Sequence, residues 1–290
     1  MLACEQPAGY VLDNTDTDDP GVIFSAVKAT FGDKIDPQNP FDYASLAVPN
    51  YISKDNAVAL PINNRQALLG RVLFYDKQLS VDRTVACASC HQQAHAFSDL
   101  EVLSEGVNGR TRRHSMRLIN TRFAEEVRFF WDERAESLEQ QTTMPIQDHA
   151  EMGFSGENGD PSLEDLLDRL KEIDYYQELF TYAFGDAVIT ETRLQSALAQ
   201  FIRSIQSFDS KFDQGMAQVR RMSEDFPNFS AEENLGKELF LTPPQFNNNG
   251  LRIGGGFGCQ GCHRAPEFDI DPASGNNGVI NDAVNPDVYD

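Results

Sequence analysis

The stretch Cys87-Ala88-Ser89-Cys90-His91 (CASCH, 87–91) recurs in the second half of the chain as Cys259-Gln260-Gly261-Cys262-His263 (CQGCH, 259–263), and these two pentads decide how the rest is read. In C-x-x-C-H, two thiols have the spacing that lets them form thioethers to the vinyl groups of one haem while the adjoining imidazole ligates its iron. The two copies predict two covalently attached c-type haems. Cys87, Cys90 and His91 hold the first, Cys259, Cys262 and His263 the second, and the two histidines are axial ligands of iron. Two other readings compete. A four-cysteine zinc site has the right count, but its halves lie far apart in sequence and it gives no reason for a histidine after each pair. A thioredoxin-like redox pair needs a βαβ setting, which neither pentad has.

A chain of 290 residues is long enough for two domains of ordinary size, and one pentad per half agrees with that. The expected division is an N-terminal leader and extended segment over 1–62, a first haem domain over 63–207 and a second over 208–290. No run of about eighteen apolar residues is present to cross a bilayer. Haem accounts for four of the five cysteines and leaves Cys4. Since c-type haem is attached outside the cytoplasm in bacteria, the expected compartment is the periplasm. No charged n-region and apolar h-region precede the chain. Met1-Leu2-Ala3-Cys4 is like the end of a lipoprotein signal, so Cys4 is either a lipid anchor or an incidental thiol near a disordered end. The formal charge of −21, with no Lys/Arg cluster to offset it, argues against nucleic acid. An acidic surface either steers a small basic electron carrier or serves solubility.

Residues 13–20 (DNTDTDDP) are acidic and turn-rich, and Pro37, Pro40, Pro49 and Pro61 interrupt the segment after them, so little regular structure is expected before residue 63. From Asn64, Leu68, Leu69, Val72 and Leu73 share a face behind an Asn cap, which predicts a helix leading to the first pentad. Residues 106–113 (GVNGRTRR) form a basic loop suited to haem propionates or simply solvated. A helix over 134–144 is stopped by Pro145. Ser162 with Asp165 opens another, Tyr175 to Phe184 continues as a further one to Gly185, and Thr190 caps the longest, with Leu194, Leu198, Phe201, Ile202 and Ile205 on one stripe. That last helix is expected to bridge the two haem domains. Ser230 to Glu233 is a capping box that starts a helix with Leu235, Leu239 and Phe240 inside, followed by a Gly/Asn-rich loop, 247–258. The fold class is mainly α, two cytochrome c-like haem domains with long loops, where the cofactor supplies much of the core.

With these motifs in order, the chain resembles the bacterial di-haem cytochrome c peroxidase family, which includes the enzyme that matures tryptophan tryptophylquinone in methylamine dehydrogenase. The resemblance rests on LLGRVLFYDKQLSVDRTVACASCH (68–91), AFSD (96–99), RFFWDERAESLEQQ (128–141), PIQDHAEMG (145–153), ALAQFIRSIQSFDSKFD (197–213) and EENLGKELF (232–240). It implies that the first haem is where peroxide is reduced and the second receives electrons from a donor. It further implies that Trp131 lies between the haems, that Glu151 is the distal acid-base carboxylate, and that Gln141 is a distal glutamine near it. A dry, positioned carboxylate is suited to moving the proton when an O–O bond breaks at iron.

The chain departs from the family at three places. In the loop 104–112 (SEGVNGRTR), where some members carry a distal His, it has none, which leaves the first haem open at rest unless His95 or His114 substitutes. His114 stands where many members have an Asn that helps hold calcium, which puts calcium in doubt. No Met follows Met222, so either the sequence is a truncated or cleaved form or the second haem lacks a Met ligand. His149, two residues before Glu151, either tunes it or lies on the surface. The expectation is a periplasmic di-haem peroxidase taking electrons from a small cytochrome c or cupredoxin. The alternatives are a maturase oxidising a partner protein and a non-catalytic di-haem electron carrier. Resemblance also implies a homodimer, on which no motif bears.

Overall fold

A computed structural model describes residues 24–125 and 128–270. The acidic 13–20 stretch, Cys4 and most of the 269–290 tail lie outside them. Helix α1 (Ser25–Phe31) falls in the part of 1–62 expected to be irregular. The sequence gives no warning of it because its cap is remote: the backbone amides of Ala26 and Val27 each donate at 2.9 Å to the carboxylate of Glu178. Helix α2 (Asn64–Tyr75) forms as expected. Its first amides, those of Arg65 and Gln66, donate to the Asn63 side chain, and Leu68, Leu69, Val72 and Leu73 are buried.

The first pentad is the single turn α3 (Cys87–Cys90), and β1 (Glu105–Gly106) pairs with β2 (Gly109–Arg110). The helix expected over 134–144 is shorter, α4 (Leu138–Thr143). Phe129 and Ala135 exchange both backbone hydrogen bonds, and Phe130 (φ 75°) and Glu133 (φ 56°) take left-handed backbone, so helix cannot begin until Ser137 caps it. Next come α5 (Leu163–Lys171) behind the Ser162/Asp165 capping box, α6 (Asp174–Phe184) ending at Gly185, and α7 (Glu191–Ser204) behind Thr190. The remainder is α8 (Lys211–Met216), α9 (Ala231–Leu241), the ribbon β3 (Pro244–Phe246) with β4 (Arg252–Gly255), and the ribbon β5 (His263–Arg264) with β6 (Asp269–Ile270). The described chain is mainly α with few strands, as expected.

The core runs from Val27 to Ile205. Its centre is the crossing of α2 over α7, where the helices touch backbone to backbone: a Cβ on Gly70 would stand 1.9 Å from the carbonyl oxygen of Ala197. Helix α4 packs on α7 as well, and Arg203 pairs bidentately with Glu139 at 2.6 and 3.0 Å. Helix α7 is therefore the packing centre for α2 and α4. Periodicity identified its apolar stripe but not what packs on it, and Gln200, Arg203 and Ser204 are buried too. Helix α9 also departs from expectation. None of its residues is buried, and Leu235 is 53% exposed. No helix among the described residues is long and apolar enough to cross a membrane.

Candidate functional site

Helix α3 is held by its own atoms. The Ala86 amide donates to the Ser89 hydroxyl at 3.0 Å and the His91 amide to the Cys87 carbonyl at 2.9 Å. The turn carries Cys87, Cys90 and His91 into the wall of a cavity of about 1120 Å³, just above the roughly 300–1,000 Å³ usual for a ligand pocket. His91 Nδ1 lies 3.0 Å from the Phe97 carbonyl oxygen. A carbonyl only accepts, so Nδ1 carries the proton and Nε2 keeps its lone pair. Burial also lowers the proton affinity of this imidazole, which favours the neutral, metal-binding form. Burial pushes the Cys87 thiol up to about 12 and raises Cys90. Neither is the exposed, low-pKa thiolate of a redox pair. Among the described residues no three His, Cys, Asp or Glu side chains converge as a metal cage.

Glu151 lines the same cavity. It sits in a tight loop after α4, anchored by buried Ile146, Met152 and Phe154, with the Phe154 amide bonded to the Ile146 carbonyl at 3.0 Å. The loop is braced from outside by the β1–β2 hairpin, where the amides of Val107 and Asn108 donate to the carbonyls of Glu151 and Ala150 at 3.1 and 3.2 Å. Only a glycine permits that approach at 106, since a Cβ there would lie 2.0 Å from the Ala150 carbonyl oxygen. Arg169 of α5 fixes the segment before α3 by donating to the carbonyls of Gln78, Ser80 and Val81, and stacks on Phe154. Burial pushes the Glu151 carboxyl up to about 7, the Asp148 charge adds to the rise, and Arg134 opposes it.

Asp148 is a site residue that sequence reasoning missed. Its Oδ1 accepts from the amides of Ala150 and Glu151 at 2.8 and 3.1 Å, so it shapes the loop as well as its charge. The available signal was an Asp two and three residues before the amides it caps. His149 turns outward instead: Nδ1 meets Asp160 at 2.6 Å and the side chain is 57% exposed.

Trp131 and Gln141 line the large cavity too. The indole N–H of Trp131 donates to the His114 carbonyl at 2.9 Å, and the ring is 40% exposed. Asp132 beside it takes Arg113 and Arg134 at 2.8 Å each. His114 has both ring nitrogens engaged, on the Ser98 hydroxyl at 3.1 Å and the Glu101 carbonyl at 3.0 Å, so it is a backbone partner here. His95 ends a one-turn 3-10 helix, 93–95, and does not line the cavity. The second pentad opens with a 3-10 turn, Cys259–Gly261, and runs into β5. His263 lines the large cavity with Glu267, Phe268 and Asp269, whereas Cys259 and Cys262 do not. The cavity thus gathers Cys87, Cys90, His91, Trp131, Gln141, Glu151 and His263. Phe74, Leu118, Ile119, Leu198 and Ile202 supply apolar wall and Arg112, Arg113 and Arg117 cationic wall. Thiols beside an imidazole whose Nε2 keeps its lone pair, an apolar slot and guanidinium groups for carboxylates fit a haem.

A family model described as di-haem cytochrome c peroxidase matches residues 64–221, which include the first pentad and end before the second. The methylamine utilization protein MauG of Methylophilus methylotrophus is 33% identical over 60% of this chain and 51% of its own length. The cytochrome-c peroxidase IdrP1 of Denitromonas iodatirespirans is 30% identical over 84% of this chain and 56% of its own. The chain thus spans about half the length of the curated relatives it matches. Among solved structures, a MauG-like protein associated with microbial copper homeostasis superposes with a TM-score of 0.54 at 27% identity, covering 67% of this chain and 54% of that one. The diheme peroxidase BthA of Burkholderia thailandensis shares the fold, with a TM-score of 0.54 at 20% identity, over 79% of this chain and 53% of that one.

Proposed function

The chain belongs to the di-haem cytochrome c peroxidase family, and from that membership we propose that it reduces hydrogen peroxide to water with electrons from a small cytochrome c or cupredoxin in the periplasm. Members of this family are haem oxidoreductases, either peroxidases or MauG-type oxidases. The observation that carries the peroxidase reading is Glu151: a half-buried carboxyl held near neutrality, on the wall of the cavity that His91 also faces.

In this reading Cys87 and Cys90 bind one haem covalently and His91 Nε2 ligates it, while Cys259, Cys262 and His263 hold a second, in domains over 63–207 and 208–290. Bound haem supplies the iron centre at which two electrons and two protons convert H2O2 to two waters. The protein's part is the proton and the path. Glu151, ionised, takes the proton from the nearer peroxide oxygen and returns it to the departing one. Gln141, on the same wall, orients the peroxide by hydrogen bonding. Trp131 provides the aromatic ring by which electrons pass from the His263 side to the His91 side. The exposed apolar groups of 208–270, Leu235, Phe246, Leu251, Ile253 and Phe257 among them, agree with a segment whose core is completed by its cofactor.

The maturase reading is favoured by the MauG likeness at 33% identity. Stopped-flow mixing of half-reduced, haem-loaded protein with peroxide separates the readings. A peroxidase consumes H2O2 and oxidises reduced cytochrome c over many turnovers, a maturase consumes it only with a protein substrate to oxidise, and a carrier does neither. Undiminished activity in Glu151→Gln sinks the assignment of Glu151. Mass spectrometry showing no porphyrin adduct at either pentad sinks the whole reading.

A further inference from the structure

A second, smaller cavity of about 330 Å³ is walled by Arg134, Met144, Pro145, Gln147, Asp148 and Glu151. Arg134, Pro145, Asp148 and Glu151 also wall the large cavity, so the two spaces share a partition, whereas Met144 and Gln147 face the small one alone. Gln147 and Asp148 are exposed, so the small cavity meets solvent. None of the attachment residues Cys87, Cys90 and His91 reaches it. At about 30 Å³ per water, the space holds on the order of ten molecules of that size. That is room for peroxide and a file of waters, and far too little for a protein.

The partition suits a small neutral molecule. Glu151 offers a carboxyl, Asp148 a second one already turned onto the amides of Ala150 and Glu151, and Arg134 a guanidinium tied to Asp132 and laid on the Phe130 ring at 3.5 Å. Pro145, without an N–H, closes the fourth side. Such a neck gives hydrogen bonds to H2O2 or water, while its two carboxyls, with Arg134 already paired to Asp132, disfavour an anion.

We infer that the small cavity is the port by which hydrogen peroxide enters and product water leaves the Glu151 face, with Met144 and Gln147 as its rim. The inference rests on the reading of Glu151 as the residue that meets peroxide. It names the substrate class as small, neutral and hydrogen-bonding, and it excludes hydroperoxides with bulky aryl groups.

The test is cyanide binding to the oxidised, haem-loaded full chain near neutral pH, where the ligand is largely neutral HCN, followed by stopped-flow absorbance. Gln147→Trp and Met144→Trp each fill the rim from a different side, and Gln147 is exposed, its side chain giving up only contacts to the Thr143 carbonyl at 3.3 Å and Glu191 at 3.5 Å. The port requires association and dissociation rates to fall together by tenfold or more in either variant, with Kd within twofold of wild type. That pairing marks a blocked path rather than a damaged site. Rates within twofold of wild type in both variants, with cyanide still bound, overturn the port and leave the Glu151 reading standing. A loaded protein that binds no cyanide at all overturns both.

Discussion

Three things set the proton affinity of Glu151: its burial, the like charge of Asp148, and the opposing charge of Arg134. A base must be ionised to take a proton, and with its carboxyl at about 7 the ionised fraction falls tenfold per unit below that value. Peroxide kcat/KM is therefore expected to climb with pH and level off above about 7. Glu151→Gln is expected to lose about 10²–10⁴-fold in rate together with that acid limb, since this is the range of general acid-base catalysis. Asp148→Asn removes the like charge, so the limb moves to lower pH, and Arg134→Gln moves it to higher pH. Rate profiles over pH 5–9 check all three directions, and an unmoved limb in Asp148→Asn rules out its influence. Glu151 is singled out by its motif alone, because burial and loop shape leave no mark in a single sequence. Asp148 was missed for the complementary reason: its role is to hold backbone amides, and turn-forming Asp residues are common.

At the level of elements, two glycines carry contacts that no other residue permits. Gly70→Ala would place a methyl against the Ala197 carbonyl at the α2–α7 crossing, where both partners are backbone and cannot turn aside. The helices must separate, and overpacking of this kind costs about 1–3 kcal/mol, read as a lower urea midpoint. Gly106→Ala presses instead on the Ala150 carbonyl, next to Glu151. It is expected to reduce peroxide turnover more than it reduces stability, because the displaced loop carries Glu151, the proposed base. Equal falls in both would argue against that. Capped helices were the most legible part of the fold. The Ser162/Asp165 and Ser230/Glu233 boxes both close as their spacing implies. What stayed hidden depended on partners distant in sequence. Glu178 starts α1, the Phe129–Ala135 bridge delays α4, and α2 and α4 pack on α7, whose residues 197–204 are all buried.

Across the whole molecule, the segment after the second pentad is tied to residues of the first half by polar contacts that pattern reading could not supply. The amides of Ser53 and Lys54 donate to Glu267 at 2.8 and 3.2 Å, Lys54 pairs with a nearly buried Asp269 at 2.5 Å, and the Glu125 amide donates to that same Asp269 at 2.8 Å. Asp269→Ala strands the Lys54 ammonium and is expected to lower stability by about 3 kcal/mol, seen as a shifted denaturation midpoint. Charge at long range concerns the donor instead. With a formal −21, steering of a basic redox partner would act over distances that salt screens, the Debye length falling from about 30 Å at 0.01 M to about 10 Å at 0.1 M. Turnover with a basic cytochrome c is therefore expected to fall steeply between those ionic strengths through its second-order rate, with kcat at saturating donor unchanged. An acidic donor should show the opposite slope. A rate indifferent to salt with both would mean that the acidic surface keeps the protein soluble and takes no part in bringing electrons to it.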